Sequence, residues 1–263
     1  MRRPSPLKSL LALGVACFSG AALPSCATND SMMFIMGVYA RKLGACEPTA
    51  EADAPLWDRG VMDRAFVDEY RASLLIGNQL TQRGSRDRLR TETSRVSLKG
   101  AEVTLESVDG RRLLEPFSAI ATGFVDASSG EDPGLSIMSA TLIPSRAAGQ
   151  LPDGVVVAKV RVFGTTLGGQ DVESNELAFP IELCTGCLVA YPASAQDLTA
   201  DGGEYECKQG SDEDATTSDT DLPCTIGLDL PVPCTACSGV SEICQNPRNN
   251  CYFFPEEPGC AQP

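Results

Sequence analysis

The stretch AEVTLESVDGRRLL, residues 101–114, carries the clearest local pattern in the chain. Val103 and Leu105 alternate with Glu102, Thr104 and Glu106. A period of two puts apolar side chains on one face and polar ones on the other, as a half-buried strand requires. Asp109-Gly110 then supplies a two-residue hairpin turn.

Similar runs lie to either side. MMFIMGVYA (32–40) reads as a first strand and YRASLLIGNQL (70–80) as another, while 44–60, with Pro48, Pro55 and several acids, reads as a loop. LSIMSATLI (135–143) follows the turn cluster GEDPG. GVVVAKVRVFG (154–164) is β-branched on both faces, as in a central strand. In ELAFPIEL (176–183), Leu177, Phe179, Ile181 and Leu183 share one face; Pro180 cannot donate to a ladder, which favours an edge strand or an outward-facing proline. About seven to nine short strands with almost no helical periodicity predict an all-β protein, an antiparallel immunoglobulin-like β-sandwich over 32–190. A disulfide-rich, irregular, acidic tail is expected over 191–263.

Composition narrows the chemistry. The chain has 263 residues and a formal net charge of −14, more negative still once Arg2, Arg3 and Lys8 are removed. Such a surface repels phosphate backbones, so no nucleic-acid partner is expected. The basic cluster RGSRDRLRTETSRVSLK (83–99) reads as a solvated loop or short helix laced with Asp87 and Glu92. There is no histidine, which removes Ser-His-Asp and Cys-His catalysis and His-ligated metal sites together. No G-x-S-x-G, S-x-x-K, P-loop or G-x-G-x-x-G stands in the chain from Cys26 onward. Paired carboxylates, for which Asp126, Glu131 and Asp132 are candidates, leave a hydrolase as an alternative to a non-enzymatic protein.

The N-terminus speaks to compartment. MRRPSPLKSLLALGVACFSGAALPSCATND has a basic start, an apolar run from Leu10 to Phe18 and small residues before Cys26. That is a secretory signal, read here as residues 1–25. Leu23-Pro24-Ser25-Cys26 resembles the lipobox of bacterial lipoproteins, which implies cleavage before Cys26, a diacylglyceryl group on its sulfur and a short tether over 26–31. Ala27 in place of Asp, by the same resemblance, implies sorting to the outer membrane. Several acyl chains on one residue anchor stably, so the membrane is an expected partner without a spanning helix.

Twelve cysteines occur. Cys17 leaves with the signal and Cys26 is the lipid attachment residue, so the disulfide candidates are Cys46, Cys184, Cys187, Cys207, Cys224, Cys234, Cys237, Cys244, Cys251 and Cys260. An even set in an exported chain is what a disulfide framework requires, and a polar tail needs such staples. Nine of them lie in the last 80 residues, from Cys184 onward, which leaves Cys46 as the tenth partner that ties this end to the body. Two C-x-x-C pairs, 184–187 and 234–237, raise thiol-redox and metal alternatives. They are too far apart for a zinc ribbon, whose pairs stand about 15 to 20 residues apart. The 184–187 pair follows strand-like residues, not the helix N-terminus that lowers a thiol pKa. The stretch QGSDEDATTSDTDLP (209–223) offers oxygen ligands for calcium but lacks the EF-hand frame. No cofactor and no metal ligand are therefore assigned.

FSAIATGFVDASSGEDPG (117–134) and KVRVFGTTLGGQDVESNELAFPIELCTGCLV (159–189) resemble segments of uncharacterised cysteine-rich outer-membrane lipoproteins of myxobacteria. The resemblance implies a lipobox, a β-rich body and a cysteine-rich end, and brings no activity with it. The expectation is thus a non-enzymatic cell-envelope lipoprotein that binds a protein or glycan ligand or serves as an architectural module.

Overall fold

The computed structural model describes residues 32–85, 89–191, 207, 222–256 and 260. The signal 1–25, the tether 26–31 with Cys26, and the acidic stretch 209–221 lie outside the described residues.

In chain order the strands are β1 Met33–Tyr39, β2 Leu56–Trp57, β3 Gly60–Asp63, β4 Tyr70–Asn78, β5 Val96–Ser107 and β6 Phe117–Val125. Then come β7 Gly134–Ile143, β8 Gly154–Thr166, β9 Asp171–Glu173, β10 Leu177–Cys184, β11 Val189–Ala190 and β12 Val232–Pro233. Four of them form one antiparallel sheet, β2-β1-β4-β7, and a larger sheet runs β3-β10-β8-β5-β6 with β9 added to β8. A third, two-stranded sheet pairs β11 with β12.

The alternation at 101–107 is realised in β5, where Ala101, Val103 and Leu105 are buried while Glu102, Thr104 and Glu106 face outward. Their register sets Glu102 opposite Arg161 and Thr104 opposite Lys159 on β8, so the outer face becomes a charged ladder with Lys159 Nζ 2.8 Å from Glu106. Gly110 has φ +83°, the left-handed conformation this hairpin turn needs. Leu113 N–H then returns to Leu105 O at 2.8 Å before the chain enters β6. An extra residue, Lys99, bulges β5 between Leu98 and Gly100 against β8, and at the same place β6 carries the extra residue against β5. Gly100 is required beside it, because a Cβ there would stand 2.6 Å from Ala119 O.

One apolar core draws on both sheets: Met33, Ile35, Leu74 and Leu142 from the smaller, Val103, Leu105, Val160 and Ile181 from the larger. Each such fully buried aliphatic side chain contributes about 1.5–3 kcal/mol. The sheets close on each other where consecutive strands β6 and β7 change sheet. The protein is all-β; its larger sheet curls as a half-barrel, and this topology does not establish the immunoglobulin-like arrangement.

Several local expectations differ from what is found. The 44–60 region read as loop contains β2 and the start of β3. β10 is not an edge strand, yet its pairing with β3 begins only at Ile181, so Pro180 lies where the strand has β8 as its neighbour and no ladder donor is missed. Pairing is parallel for β3–β10 and β11–β12, where an all-antiparallel fold was expected. The C-terminal segment also has order of its own, in single helical turns at Cys234–Cys237 and Glu242–Gln245.

Candidate functional site

The ten cysteines downstream of Cys26 form five disulfides: Cys46–Cys224, Cys184–Cys187, Cys207–Cys234, Cys237–Cys244 and Cys251–Cys260. The first C-x-x-C closes on itself, while the two cysteines of the second turn to different partners. Cys46–Cys224 ties the body to the tail across 178 residues. By the loop-entropy argument such a closure contributes about 5 kcal/mol. A framework of this density belongs to an oxidising, extracytoplasmic compartment. Among the described residues no helix is long and apolar enough to cross a membrane.

Below that staple the tail completes the larger sheet. Asp63 N–H donates to Gly227 O at 2.9 Å and Asp229 N–H to Val61 O at 3.0 Å, so residues 227–229 cover the otherwise open edge of β3. Two carboxylates fix this seam, Asp63 buried and Asp229 half-buried, and neither was singled out from the sequence. Asp63, fully buried at the end of β3, accepts N–H donors from Gly186 (2.7 Å), Ala65 (3.0 Å) and Leu188 (3.0 Å). It therefore holds the Cys184-Thr185-Gly186-Cys187 turn, with Gly186 at φ +86°. Asn250, also fully buried, donates to Gly186 O from the opposite side at 2.8 Å. Asp63, Cys184 and Cys187 bring three potential ligand atoms within 4.8 Å of one another. With both sulfurs in a disulfide, this set offers no thiolate to a metal.

The second carboxylate, Asp229, sits at φ +61° and accepts from Val61 N–H (3.0 Å) and the buried Tyr70 hydroxyl (2.8 Å). Burial pushes the Asp229 carboxyl above its ordinary value despite those two donors and the nearby Arg41. Burial, and then the Asp229 charge, push the Tyr70 hydroxyl well up as well. The adjoining cavity, lined by Arg41, Trp57, Ser73 and Thr225, measures about 30 Å³. That is room for a water molecule and not for an organic ligand.

A larger concavity of about 410 Å³ opens where β11 leaves the body, lined by Val189, Ala190, Tyr191, Phe253 and Phe254. Tyr191 is anchored by donating to Ile243 O at 2.5 Å and accepting from Asn250 Nδ2 at 3.1 Å. Phe253 packs edge-on against both Tyr191 (6.1 Å between centroids) and Tyr252 (5.1 Å). Tyr252 and Phe253 remain roughly half exposed, at 49% and 45%. An aromatic-lined groove of this volume, with its Tyr191 ring held by two hydrogen bonds, has the size and chemistry of a ligand site. Nothing in the sequence pattern marked it, because its two walls are 62 to 65 residues apart and come together through Asn250, the Tyr191–Ile243 hydrogen bond and ring packing.

The other sequence candidates do not converge. Asp126, Glu131 and Asp132 are exposed in the β6–β7 loop, with Asp126 held by Arg95 at 2.9 Å. Within the basic cluster 83–99, Arg95 stacks 4.7 Å over Phe124. Glu92 clasps that loop by accepting from Gly84, Ser94 and Arg83 N–H; desolvation raises its carboxyl, and these donors together bring it below its ordinary value.

No family model matches the chain, and no curated protein or solved structure matches it. The fold and the cysteines by themselves define its class: an all-β, disulfide-stapled extracytoplasmic protein.

Proposed function

We propose that the protein is a non-enzymatic cell-envelope lipoprotein, tethered to the outer membrane through Cys26. In this reading its two-sheet body serves as an immunoglobulin-like sandwich scaffold, and the Tyr191–Phe253 groove serves as the contact surface for a protein or glycan ligand. The observation that carries the reading is the pairing of all ten cysteines after Cys26, which uses every sulfur downstream of the position a lipobox would modify. The hydrolase alternative finds less support, since its candidate acids lie exposed on one loop.

Two variants test the two halves of the proposal. Cys26→Ser should move the protein from the detergent phase to the aqueous phase on partition of whole-cell extracts; unchanged partition would contradict the anchor. Tyr252→Ala combined with Phe253→Ala should lower retention of the purified protein on isolated cell-envelope fragments by about tenfold, as loss of paired aromatic anchors does. Retention equal to that of the wild type would remove the groove from the account.

A further inference from the structure

The Cys184–Cys187 disulfide differs from the other four in what holds its surroundings in place. Its cysteines are separated by 3 positions, against 7, 9, 27 and 178 for the others, so it restricts the unfolded chain least. The turn it closes is already fixed without it: Gly186 and Leu188 N–H bond Asp63, Asn250 bonds Gly186 O, and Arg64 N–H bonds Cys184 O at 2.7 Å. With the bond opened, these contacts would still hold the backbone of the turn while the two sulfurs move apart. The buried Cys184 Sγ lies 3.7 Å from Met62 O, so a thiol formed there has an acceptor at hand. Both sulfurs lie within 4.8 Å of the Asp63 carboxylate, which has about four acceptor positions of which three are filled. Cys187 is half-buried and stands beside the exposed Thr185, while Cys184 is buried.

We propose that Cys184–Cys187 is an exchangeable disulfide that accepts two electrons from a dithiol, with Cys187 as the attacked sulfur and Cys184 as the leaving one. A thiolate of the dithiol attacks Cys187 Sγ; the Sγ–Sγ bond breaks, and Cys184 departs as a thiolate that takes up a proton and donates to Met62 O. The second thiol of the partner, deprotonated, then attacks its own sulfur in the mixed disulfide and releases Cys187, which is protonated in turn. The protein gains two electrons and two protons, and the partner leaves as a disulfide. Asp63 and Asn250 act as positioning residues that keep the opened pair in register. This inference does not depend on the lipid anchor or on the aromatic groove.

The test uses the full-length oxidised protein, limiting dithiothreitol, a maleimide block and peptide mapping without further reduction. The Cys184 and Cys187 peptides should be labelled at least about tenfold above any other cysteine, with the thermal transition retained. Equal labelling of all ten, or earlier labelling of another pair, would overturn the proposal. The order of attack is read separately with an aromatic disulfide reagent: Cys184→Ser leaves a reactive Cys187, and Cys187→Ser leaves a slow Cys184. Equal rates in the two variants, or the reverse order, would contradict the assigned roles, while the wild-type map stands independently of whether either variant folds.

Discussion

Asp229 is a carboxylate placed against its own charge. Its Oδ1 serves Val61 and Tyr70, but burial disfavours ionisation, so its folded pKa lies above its unfolded one. The stabilisation linked to this proton is complete below the unfolded value and is lost as pH rises through the folded value. Asp229→Asn keeps an acceptor oxygen, suits the left-handed backbone and carries no charge to desolvate. It should therefore abolish this part of the pH dependence and match or exceed wild-type stability at pH 7.5, measured by thermal denaturation across pH 4–8. A variant with an unchanged pH profile would show that Asp229 is not strained in this way. Gly186 is a second residue-scale test. A Cβ there would combine φ +86° with an approach of 2.5 Å to Asn250 Oδ1. Gly186→Ala should cost about 1–3 kcal/mol, read as a shift in the denaturant midpoint. Asp63, Asp229 and Asn250 were invisible to sequence reading for one reason: the partners that hold them across the fold lie 59 to 168 positions away in the chain. A polar residue buried by such distant partners carries no local pattern.

At the scale of elements, strands with strong alternation or dense β-branching were legible. β1, β4, β5, β7 and β8 fall where the apolar runs at 32–40, 70–80, 101–107, 135–143 and 154–164 stand. β2 and β3 were not, because each is too short to show a period, and β3 is held in place by β10 and by tail residues 227–229. β3 is thus an element stabilised on both edges by segments far downstream in the chain. Releasing the tail should release β3. In Cys46→Ser combined with Cys224→Ser, which leaves no free thiol, stability should fall by about 2–5 kcal/mol. Amide exchange should rise first in residues 60–63, and protection there equal to that of wild type would mean that the tail does not support the edge. The Glu92 clasp is a smaller element of the same kind. Its depressed carboxyl contributes stability that is present above the unfolded pKa and lost as pH falls through the folded one. Protection of the Arg83, Gly84 and Ser94 amides, relative to the intrinsic exchange rate at each pH, should therefore fall in acid, and in Glu92→Gln it should lose that dependence.

At the scale of the whole molecule, one core shared by two sheets is joined to a smaller core of Val189, Tyr191, Val232 and the Cys234, Cys237 and Cys244 side chains. The larger core is an ordinary apolar one. The smaller could not persist by area alone, and disulfides supply what burial does not. A net charge of −14 keeps the molecule apart from anionic surfaces, so the proposed membrane contact rests on the covalent anchor and not on surface electrostatics. The compartment, the all-β class and the cysteine-rich end were readable because composition and short motifs carry them. The curl of the sheets and the aromatic groove were not, because they depend on which strands meet.

We propose above all an envelope lipoprotein whose ten remaining cysteines are all in disulfides as the protein is isolated. Its most direct test is the intact mass of protein extracted from membranes after alkylation without reductant. The account predicts a chain that begins at Cys26, carries acyl chains and has no alkyl adducts. A chain with an unmodified N-terminus, or adducts on cysteines between 46 and 260, would contradict it.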